Sequence, residues 1–165
     1  MMLIVCGVSG TGKSTVGKLL ANELKHPFFD ADDFHTESNV QKMKRGIALN
    51  DNDRQPWLES LSSKLALWEG SSGAVLACSA LKESYRQILA AQCKQNIIWV
   101  ILHGSTELLT ERLNSRQGHY FDARLLDSQL DTLELPDYGW IIDIGQTPDE
   151  IISDVLQRLR ESKNN

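Results

Sequence analysis

A glycine-rich segment near the amino terminus has residue types and spacing suited to binding phosphate. Residues 7–14, Gly-Val-Ser-Gly-Thr-Gly-Lys-Ser, match the pattern G-x-x-x-x-G-K-[ST] without a gap. Glycines allow the sharp turn that brings backbone N–H groups against phosphate oxygens. Lys13 would place a positive charge near the β- and γ-phosphates, and the Ser14 hydroxyl would bind Mg²⁺. The residues predicted to contact the nucleotide here are Gly7, Ser9, Gly10, Thr11, Gly12, Lys13, Ser14 and Thr15.

The surroundings of this loop favour a site for ATP with Mg²⁺. A short apolar run precedes the loop, and the helical pattern that starts at Ser14 would direct its positive end at the phosphates. The alternative is a glycine-rich turn with a solvated lysine, which requires the ungapped match to arise by chance. Thr15 would either touch the α-phosphate or pack in the first helical turn.

The phosphate loop by itself does not decide the reaction. The sequence contains neither the Asn-Lys-x-Asp segment with which GTPases read guanine nor the Leu-Ser-Gly-Gly-Gln signature of transporter ATPases. A small domain with one phosphate loop and neither addition is more often a phosphotransferase, which is an inference by analogy.

Carboxylates and a histidine follow the second apolar run, in the region where doubly wound folds bind ligands. Asp30 and Asp32 would lie on one side of an extended segment, because side chains alternate there. One carboxylate could hold magnesium through a water, and the other could orient an attacking hydroxyl. A helix cap or a solvated acidic turn explains the aspartates equally well, and His35 on its own would more often be a surface or capping histidine.

Arg54 is a candidate for binding an anionic acceptor, since an arginine can hold a carboxylate through two parallel hydrogen bonds. It lies at the start of a predicted helix. Asp51 or Asp53 would cap that helix, and Pro56 would occupy its first turn.

Two further cationic side chains follow the third apolar run. Lys82 and Arg86 are four residues apart, so they would share one face of a helix. A cationic face near the phosphate loop would suit an anionic acceptor. An exposed basic helix face is the alternative.

A polar segment between two helical patterns, residues 114–121, is a candidate lid. Gly118 would act as its hinge, and Arg112, Arg116 and His119 lie beside or within it. Arginines on a mobile lid can neutralise charge on a transferring phosphoryl group and keep water out. An ordinary charged loop is an equal alternative.

The elements that would position these residues alternate between strands and helices. Such alternation is typical of an α/β fold with a parallel sheet. Apolar runs predict the strands Leu3–Cys6, Phe28–Asp30, Ala74–Cys78, Ile97–Leu102 and Trp140–Ile144. Helical spacing predicts the helices Ser14–Leu24, Asn39–Arg45, Asp53–Trp68, Glu83–Gln92, Thr106–Leu113, Ala123–Leu133 and Pro148–Arg160.

Composition narrows the class of protein. The 165 residues are 41% hydrophobic and 24% charged, as in a globular domain, and the net charge is −5. This acidic balance disfavours nucleic acid as a partner. The longest apolar run is far too short for a membrane span. The three cysteines have no disulfide or zinc spacing, and Cys6 and Cys78 lie in apolar runs, so we expect buried free thiols there and a cytoplasmic location.

Taken together, these motifs resemble those of the gluconate kinase family of P-loop kinases, which is similar to the shikimate kinases. The resemblance covers the chain from Leu3 to about Leu159. Its specific marks are GVSGTGKS, Asp32 with His35, Asn39 with Lys42-Met43 and Gly46, LNDNDRQPWL, CSALK with Tyr85-Arg86, RLNSRQGHYF and SQLDTLE. It implies a P-loop NTPase fold with a five-stranded parallel sheet, and transfer of the ATP γ-phosphoryl group to the 6-hydroxyl of D-gluconate.

The resemblance also implies roles for individual residues. Asp32 would orient the acceptor hydroxyl, Asp30 would contact magnesium or its water, and His35 would bind a sugar hydroxyl. The cations expected to hold the acceptor are Arg54, Lys82 and Arg86. Of the lid residues, Arg116 would reach the phosphates, Arg112 would lie nearer the adenine, and His119 would contact the acceptor. Gln129 would be another acceptor contact, and the backbone of Gln146–Pro148 would pass the adenine.

We therefore predict one α/β kinase domain with a helical acceptor region at about residues 33–68 and a lid at about 114–121. Relatives are often dimers, so a homodimer is possible. Departures from the family pattern at Thr36, Ala48 and Leu135 put the sugar acid in question more than the phosphotransfer. The alternatives are a kinase of this fold with another acceptor, such as shikimate, and an ATP-binding regulatory module without turnover.

Overall fold

The computed structural model describes residues 1–115 and 123–163. Within them the chain forms five strands, seven α-helices and one 3-10 helix. The strands are β1 (Met2–Cys6), β2 (Phe28–Asp30), β3 (Ala74–Ala77), β4 (Ile98–His103) and β5 (Trp140–Asp143). The α-helices are α1 (Lys13–Leu24), α2 (Glu37–Lys44), α3 (Asp51–Glu69), α4 (Glu83–Ala90), α5 (Thr106–Ser115), α6 (Ala123–Thr132) and α7 (Pro148–Ser162). The 3-10 helix is Ala31–Phe34.

The strands form one parallel sheet in the order β2-β3-β1-β4-β5, which confirms the predicted fold class. Strand β1 lies in the centre, with Ile4 paired to Leu76 of β3 and to Trp99 of β4. All five residues of β1 are buried, since a central strand of a parallel sheet is covered on both faces. Helix α1 packs with α7, and α3 packs with α4. No helix in the described part of the chain is long and apolar enough to cross a membrane.

Two local predictions differ from the structure. The segment after β2 is the 3-10 helix instead of an extended strand end, because the Asp30 carboxylate caps it by accepting a hydrogen bond from the Asp32 N–H. Helix α3 is capped by Asn50, not by an aspartate. Asn50 Oδ1 accepts from the Asp53 N–H at 2.8 Å, and the Asp53 carboxylate accepts from the Asn50 N–H at 3.0 Å. Pro56 therefore lies beyond the first turn of α3.

Candidate functional site

A concave cavity of about 580 Å³ lies at the carboxyl ends of β1, β2 and β3. This is the edge at which parallel α/β sheets bind ligands. The cavity gathers residues that the sequence separates by more than a hundred positions. The predicted site residues that line it are Ser9, Gly10, Gly12, Lys13, Ser14, Thr15, Asp30, Asp32, His35, Arg54 and Gln129.

The phosphate loop joins β1 to α1 and forms one wall of the cavity. Gly7 has φ 144°, and a Cβ there would lie 2.6 Å from the Leu102 carbonyl oxygen, so a larger residue is excluded. Gly12, with φ 88°, begins α1 without a side-chain cap. The first N–H groups of α1 therefore remain for an anion at its positive end. Gly7 and Thr11 do not line the cavity, and the Thr11 hydroxyl donates to the Val8 carbonyl at 2.8 Å.

Two polar side chains of α1 face the carboxylates that follow β2. The Ser14 hydroxyl donates to Asp30 at 2.5 Å. A hydroxyl beside a carboxylate is an all-oxygen donor set of the kind that Mg²⁺ prefers, so these residues fit a magnesium site. Burial lowers the pKa of Lys13, and the negative charges of Asp32 and Asp30 oppose that effect. The Lys13 ammonium donates to the Val8 carbonyl at 3.2 Å.

Asp32 lies at the start of the 3-10 helix, and its carboxylate faces the cavity. Burial raises the pKa of Asp32, and the nearby positive charge of Lys13 partly opposes that shift. The side chain is nevertheless 58% exposed, because the cavity opens to water. We therefore expect an ionised Asp32 at neutral pH, able to accept a hydrogen bond.

His35 is held by an aromatic platform. Its ring stacks on Trp57 with the ring centroids 4.1 Å apart, and Trp57 donates its indole N–H to the Ala31 carbonyl at 2.8 Å. Only 4% of the His35 side chain is exposed. Burial, and then the positive charge of Arg54, lower the pKa of His35 to about 4. The ring is therefore neutral at pH 7.

This buried neutral histidine should make stability depend on pH. Between the usual pKa of 6.5 and about 4, the unfolded chain binds a proton at His35 that the folded chain does not. Lowering the pH from 7 to 4 should therefore reduce the free energy of unfolding by about 3 kcal/mol through His35 alone. Urea unfolding of wild type and of His35→Gln across this range measures the difference. Parallel pH profiles for the two proteins would contradict the assignment.

Arg54 and Lys82, both predicted to hold the acceptor, occupy different surroundings. Arg54 is buried in the cavity wall, where Nη1 donates to the Leu49 carbonyl at 2.6 Å and to the Tyr85 hydroxyl at 3.2 Å. Lys82 does not line this cavity. It lines a neighbouring depression, also bounded by Arg54, and its ammonium pairs with Asp51 at 3.1 Å. Arg54 is therefore better placed than Lys82 to bind an anion in this cavity.

Arg86 is not brought to the cavity, contrary to the expected role in acceptor binding. It is 3% exposed, and its guanidinium donates to the Ala80 carbonyl at 2.8 Å, to the Glu134 carbonyl at 2.9 Å and to the Tyr138 hydroxyl at 3.1 Å. Ala80 has φ 42°, a left-handed conformation that alanine rarely adopts. Arg86 thus fixes the turn after β3 and joins it to the segment between α6 and β5.

Removing Arg86 should therefore reduce stability. In Arg86→Met the carbonyls of Ala80 and Glu134 lose a buried donor, and we expect a loss of about 3 kcal/mol in the free energy of unfolding. Arg158→Met is the matched control, because the side-chain contact that the described residues give Arg158 is a surface ion pair with Asp154, which should contribute less than about 0.5 kcal/mol. Chemical denaturation measures both. Equal stabilities for the two variants would contradict a structural role for Arg86.

Residues on either side of the predicted lid contact loops that follow strands of the sheet. Arg112 of α5 donates to the Ile144 carbonyl at 2.7 Å, just before the segment 146–148. Gln129 of α6 accepts a hydrogen bond from the Ser9 N–H at 2.8 Å, which ties α6 to the phosphate loop. Arg116 and His119 lie outside the described residues, as does the lid from residue 116 to 121.

The sequence reasoning missed part of the cavity wall. Its apolar side comes from Trp57 and from residues such as Met43, Leu49 and Leu125. Trp57 lies three residues after Arg54 in the motif LNDNDRQPWL, but the motif alone does not predict that it lines the cavity. Asn39 is 2% exposed, and the sequence predicts no role for it.

The three departures from the family pattern have different positions. Thr36 caps α2 by accepting a hydrogen bond from the Asn39 N–H at 3.2 Å. Ala48 lines the cavity, and its small side chain leaves more room there than a larger residue would. Leu135 is 45% exposed, and it is absent from the described cavity wall.

The parallel sheet, the phosphate loop and the facing carboxylates define a P-loop kinase. The shikimate kinase family model matches residues 9–135. A gluconokinase of Arabidopsis thaliana is 39% identical, and the match covers 99% of this chain and 94% of the relative. The thermoresistant gluconokinase of Escherichia coli K12 is 33% identical, and the match covers 97% of this chain and 94% of the relative. The crystal structure of a gluconokinase from Sinorhizobium meliloti 1021 is 39% identical, covers 99% of this chain and 95% of its own, and superposes with a TM-score of 0.88. This chain belongs to the gluconokinase family.

Proposed function

We propose that the protein phosphorylates D-gluconate at its 6-hydroxyl with ATP, giving 6-phospho-D-gluconate and ADP. The gluconokinase relatives match nearly the whole chain and support this acceptor. The observation that carries the proposal is one cavity that contains the phosphate loop, Asp32 and Arg54 together. A donor phosphate and an anionic acceptor with a free hydroxyl could meet there at bonding distance.

The donor side would hold ATP through the phosphate loop and the start of α1. The N–H groups there and Lys13 would bind the β- and γ-phosphates. Ser14 and Asp30 would hold Mg²⁺, directly or through water. When bound, Mg²⁺ supplies positive charge to the β- and γ-phosphate oxygens. Lys13 adds a point charge on the same group, which stabilises charge on the phosphoryl group as it transfers.

The acceptor side would place the 6-hydroxyl next to Asp32. The oxygen of that hydroxyl attacks the γ-phosphorus, and the bond from γ-phosphorus to the β,γ-bridging oxygen breaks, with its electron pair remaining on ADP. Asp32 accepts the hydroxyl proton and later releases it to solvent. Arg54 would hold the gluconate carboxylate, and His35 would bind a sugar hydroxyl. We also propose that Arg116, Arg112, His119 and Gln129 act from the lid side, as the resemblance implies.

An acceptor panel tests the proposed reaction. ADP release from ATP and Mg²⁺ is measured with D-gluconate, shikimate, related sugar acids, AMP and no acceptor. We expect strong stimulation by D-gluconate, with 6-phosphogluconate identified by mass. Stimulation by another acid alone would support a kinase but show that D-gluconate is not its acceptor. ATP binding without stimulation by any acceptor would overturn the proposed reaction.

Arg54→Lys tests the acceptor end of the cavity. Lysine keeps the positive charge but loses the planar pair of donors, so we expect the KM for D-gluconate to rise by about 10- to 100-fold. The KM for ATP should change little. Lys82→Met is the comparison, because Lys82 lines the neighbouring depression, and its effect on KM should stay within about threefold. A larger effect from Lys82→Met would move the carboxylate site to that depression.

A further inference from the structure

The side-chain amide of Asn39 connects α2, α3 and the cavity. Asn39 is 2% exposed, and its Nδ2 donates to the Asp53 carbonyl at 2.9 Å. The same Nδ2 lies 3.4 Å from Nδ1 of His35. One buried amide group therefore contacts both a backbone carbonyl and the histidine that lines the cavity.

The Asp53 carbonyl fixes the orientation of this amide. A carbonyl oxygen only accepts hydrogen bonds, so the Asn39 atom that faces it must be the nitrogen. That nitrogen has a second proton, and it faces His35 Nδ1. Because an NH₂ group only donates, Nδ1 must be the acceptor, and the proton of a neutral imidazole must then reside on Nε2.

The protonated Nε2 faces the carboxylate of Asp32. The distance from Nε2 to Asp32 Oδ1 is 3.8 Å, too long for a direct hydrogen bond. An oxygen placed beside the line between them could lie about 2.8 Å from each atom. Such an oxygen would accept from His35 and donate to Asp32, which a hydroxyl does and a carboxylate does not.

We propose that Asn39 is a positioning residue that holds His35 as the Nε2–H tautomer, so that His35 and Asp32 together recognise one hydroxyl of the acceptor. His35 supplies the donor, Asp32 supplies the acceptor, and Asn39 sets this polarity without touching the substrate. With the opposite tautomer, two acceptors would face the hydroxyl, which has only one proton. The identity of the acceptor rests on the proposed function; the tautomer does not.

The tautomer is measured on the free full-length protein, without nucleotide or acceptor. Nitrogen-15 NMR of the histidine rings at pH 7 distinguishes a protonated from an unprotonated ring nitrogen, and the His35 signals are those lost in His35→Gln. We expect a protonated Nε2 and an unprotonated Nδ1. A protonated Nδ1, or equal populations of the two tautomers, would overturn the proposal whether or not gluconate is the acceptor.

Asn39→Asp reverses the polarity, because a carboxylate at this position accepts from Nδ1–H. The proton should move to Nδ1, and kcat/KM for the acceptor that works in the panel should fall by about tenfold, with an unchanged KM for ATP. Lys42→Met is the control. It breaks a second link between α2 and α3, the ion pair of Lys42 with Asp53 at 2.7 Å, and should change kcat/KM by less than about twofold. An equal loss in both variants would show that Asn39 only joins the two helices.

A double-mutant cycle separates positioning from packing. In His35→Gln the amide nitrogen of glutamine can donate from near the position of Nε2, and no tautomer is left to fix. Asn39→Asp should then lower kcat/KM by less than about twofold in that background, against about tenfold in wild type. Equal losses in the two backgrounds would overturn the proposal. The wild-type NMR measurement decides the tautomer even if Asn39→Asp fails to fold.

Discussion

Replacing Asp32 with asparagine is expected to lower kcat by about 10²- to 10³-fold, with little change in the KM for ATP. The new side chain would keep the shape of the old one, and the backbone N–H of this residue would still donate to Asp30. The substitution would remove the negative charge that accepts the hydroxyl proton. Steady-state kinetics with D-gluconate measure the effect.

Asp33→Asn is the matched control, since Asp33 is the next residue, also lines the cavity, and the substitution removes the same charge. We expect its kcat to stay within about threefold of wild type. A comparable loss in both variants would assign the effect to the general field of the acidic segment. A kcat of Asp32→Asn within a few-fold of wild type would remove Asp32 from its role.

The pH profile gives a second measurement on Asp32. Because the reaction needs the ionised carboxylate, kcat/KM should rise as pH rises through the pKa of Asp32. Burial raises that pKa above its usual value near 3.8, so the acid limb should lie at higher pH than for an ordinary aspartate. The limb should be absent in Asp32→Asn. A limb unchanged in that variant would belong to another group.

Much of the fold follows from local sequence. Apolar runs predict each of the five strands to within about one residue at each end. For β1, β3 and β4 the reason is burial on both faces of the sheet, which leaves few polar positions. The phosphate loop is equally local, since one continuous segment supplies its turn, its lysine and its hydroxyl. Parallel strands then bring Asp30 and Asp32 to the same edge as Lys13, and the structure places all three in one cavity.

The surroundings of the cationic residues Lys82 and Arg86 could not be predicted from short sequence patterns. Spacing put Lys82 and Arg86 on one helix face, yet Lys82 is the residue before α4, and Arg86 folds back to the Ala80 carbonyl. The partner that decides the role of Arg86 is the Glu134 carbonyl, 48 positions away. Such contacts depend on how α4 and the segment after α6 pack, which no short pattern contains.

Within the site, the contacts of Asn39 and Gln129 are likewise not predictable from short sequence patterns. Each uses a neutral amide, a group whose partners cannot be inferred from charge, and the motifs that contain Asn39 and Gln129 do not specify the contacts seen here. Asn39 acts through its neighbours His35 and Asp53, and Gln129 through the Ser9 N–H. An amide both donates and accepts, so its role is decided only when its partners are known.

Replacing Lys13 with methionine is expected to have the largest effect, a fall in kcat of about 10³-fold together with a higher KM for ATP. Methionine fills similar space without charge. The transferring phosphoryl group would lose a donor that is partly buried in the cavity wall of the free protein. A positioned charge in such surroundings acts more strongly than one in water.

Lys18→Met is the control for Lys13→Met, because Lys18 is exposed on the same helix and lies 5.7 Å from the Phe28 ring, away from the cavity. Its kcat should remain within about twofold of wild type. Both variants are assayed for ATP binding by calorimetry and for turnover with D-gluconate. If Lys13→Met bound ATP as wild type does and turned over within tenfold of it, Lys13 would have no major role in binding or in phosphoryl transfer. A loss in kcat much larger than the loss in ATP affinity would instead locate the action of Lys13 in the transition state, where charge on the moving phosphoryl group meets the ammonium.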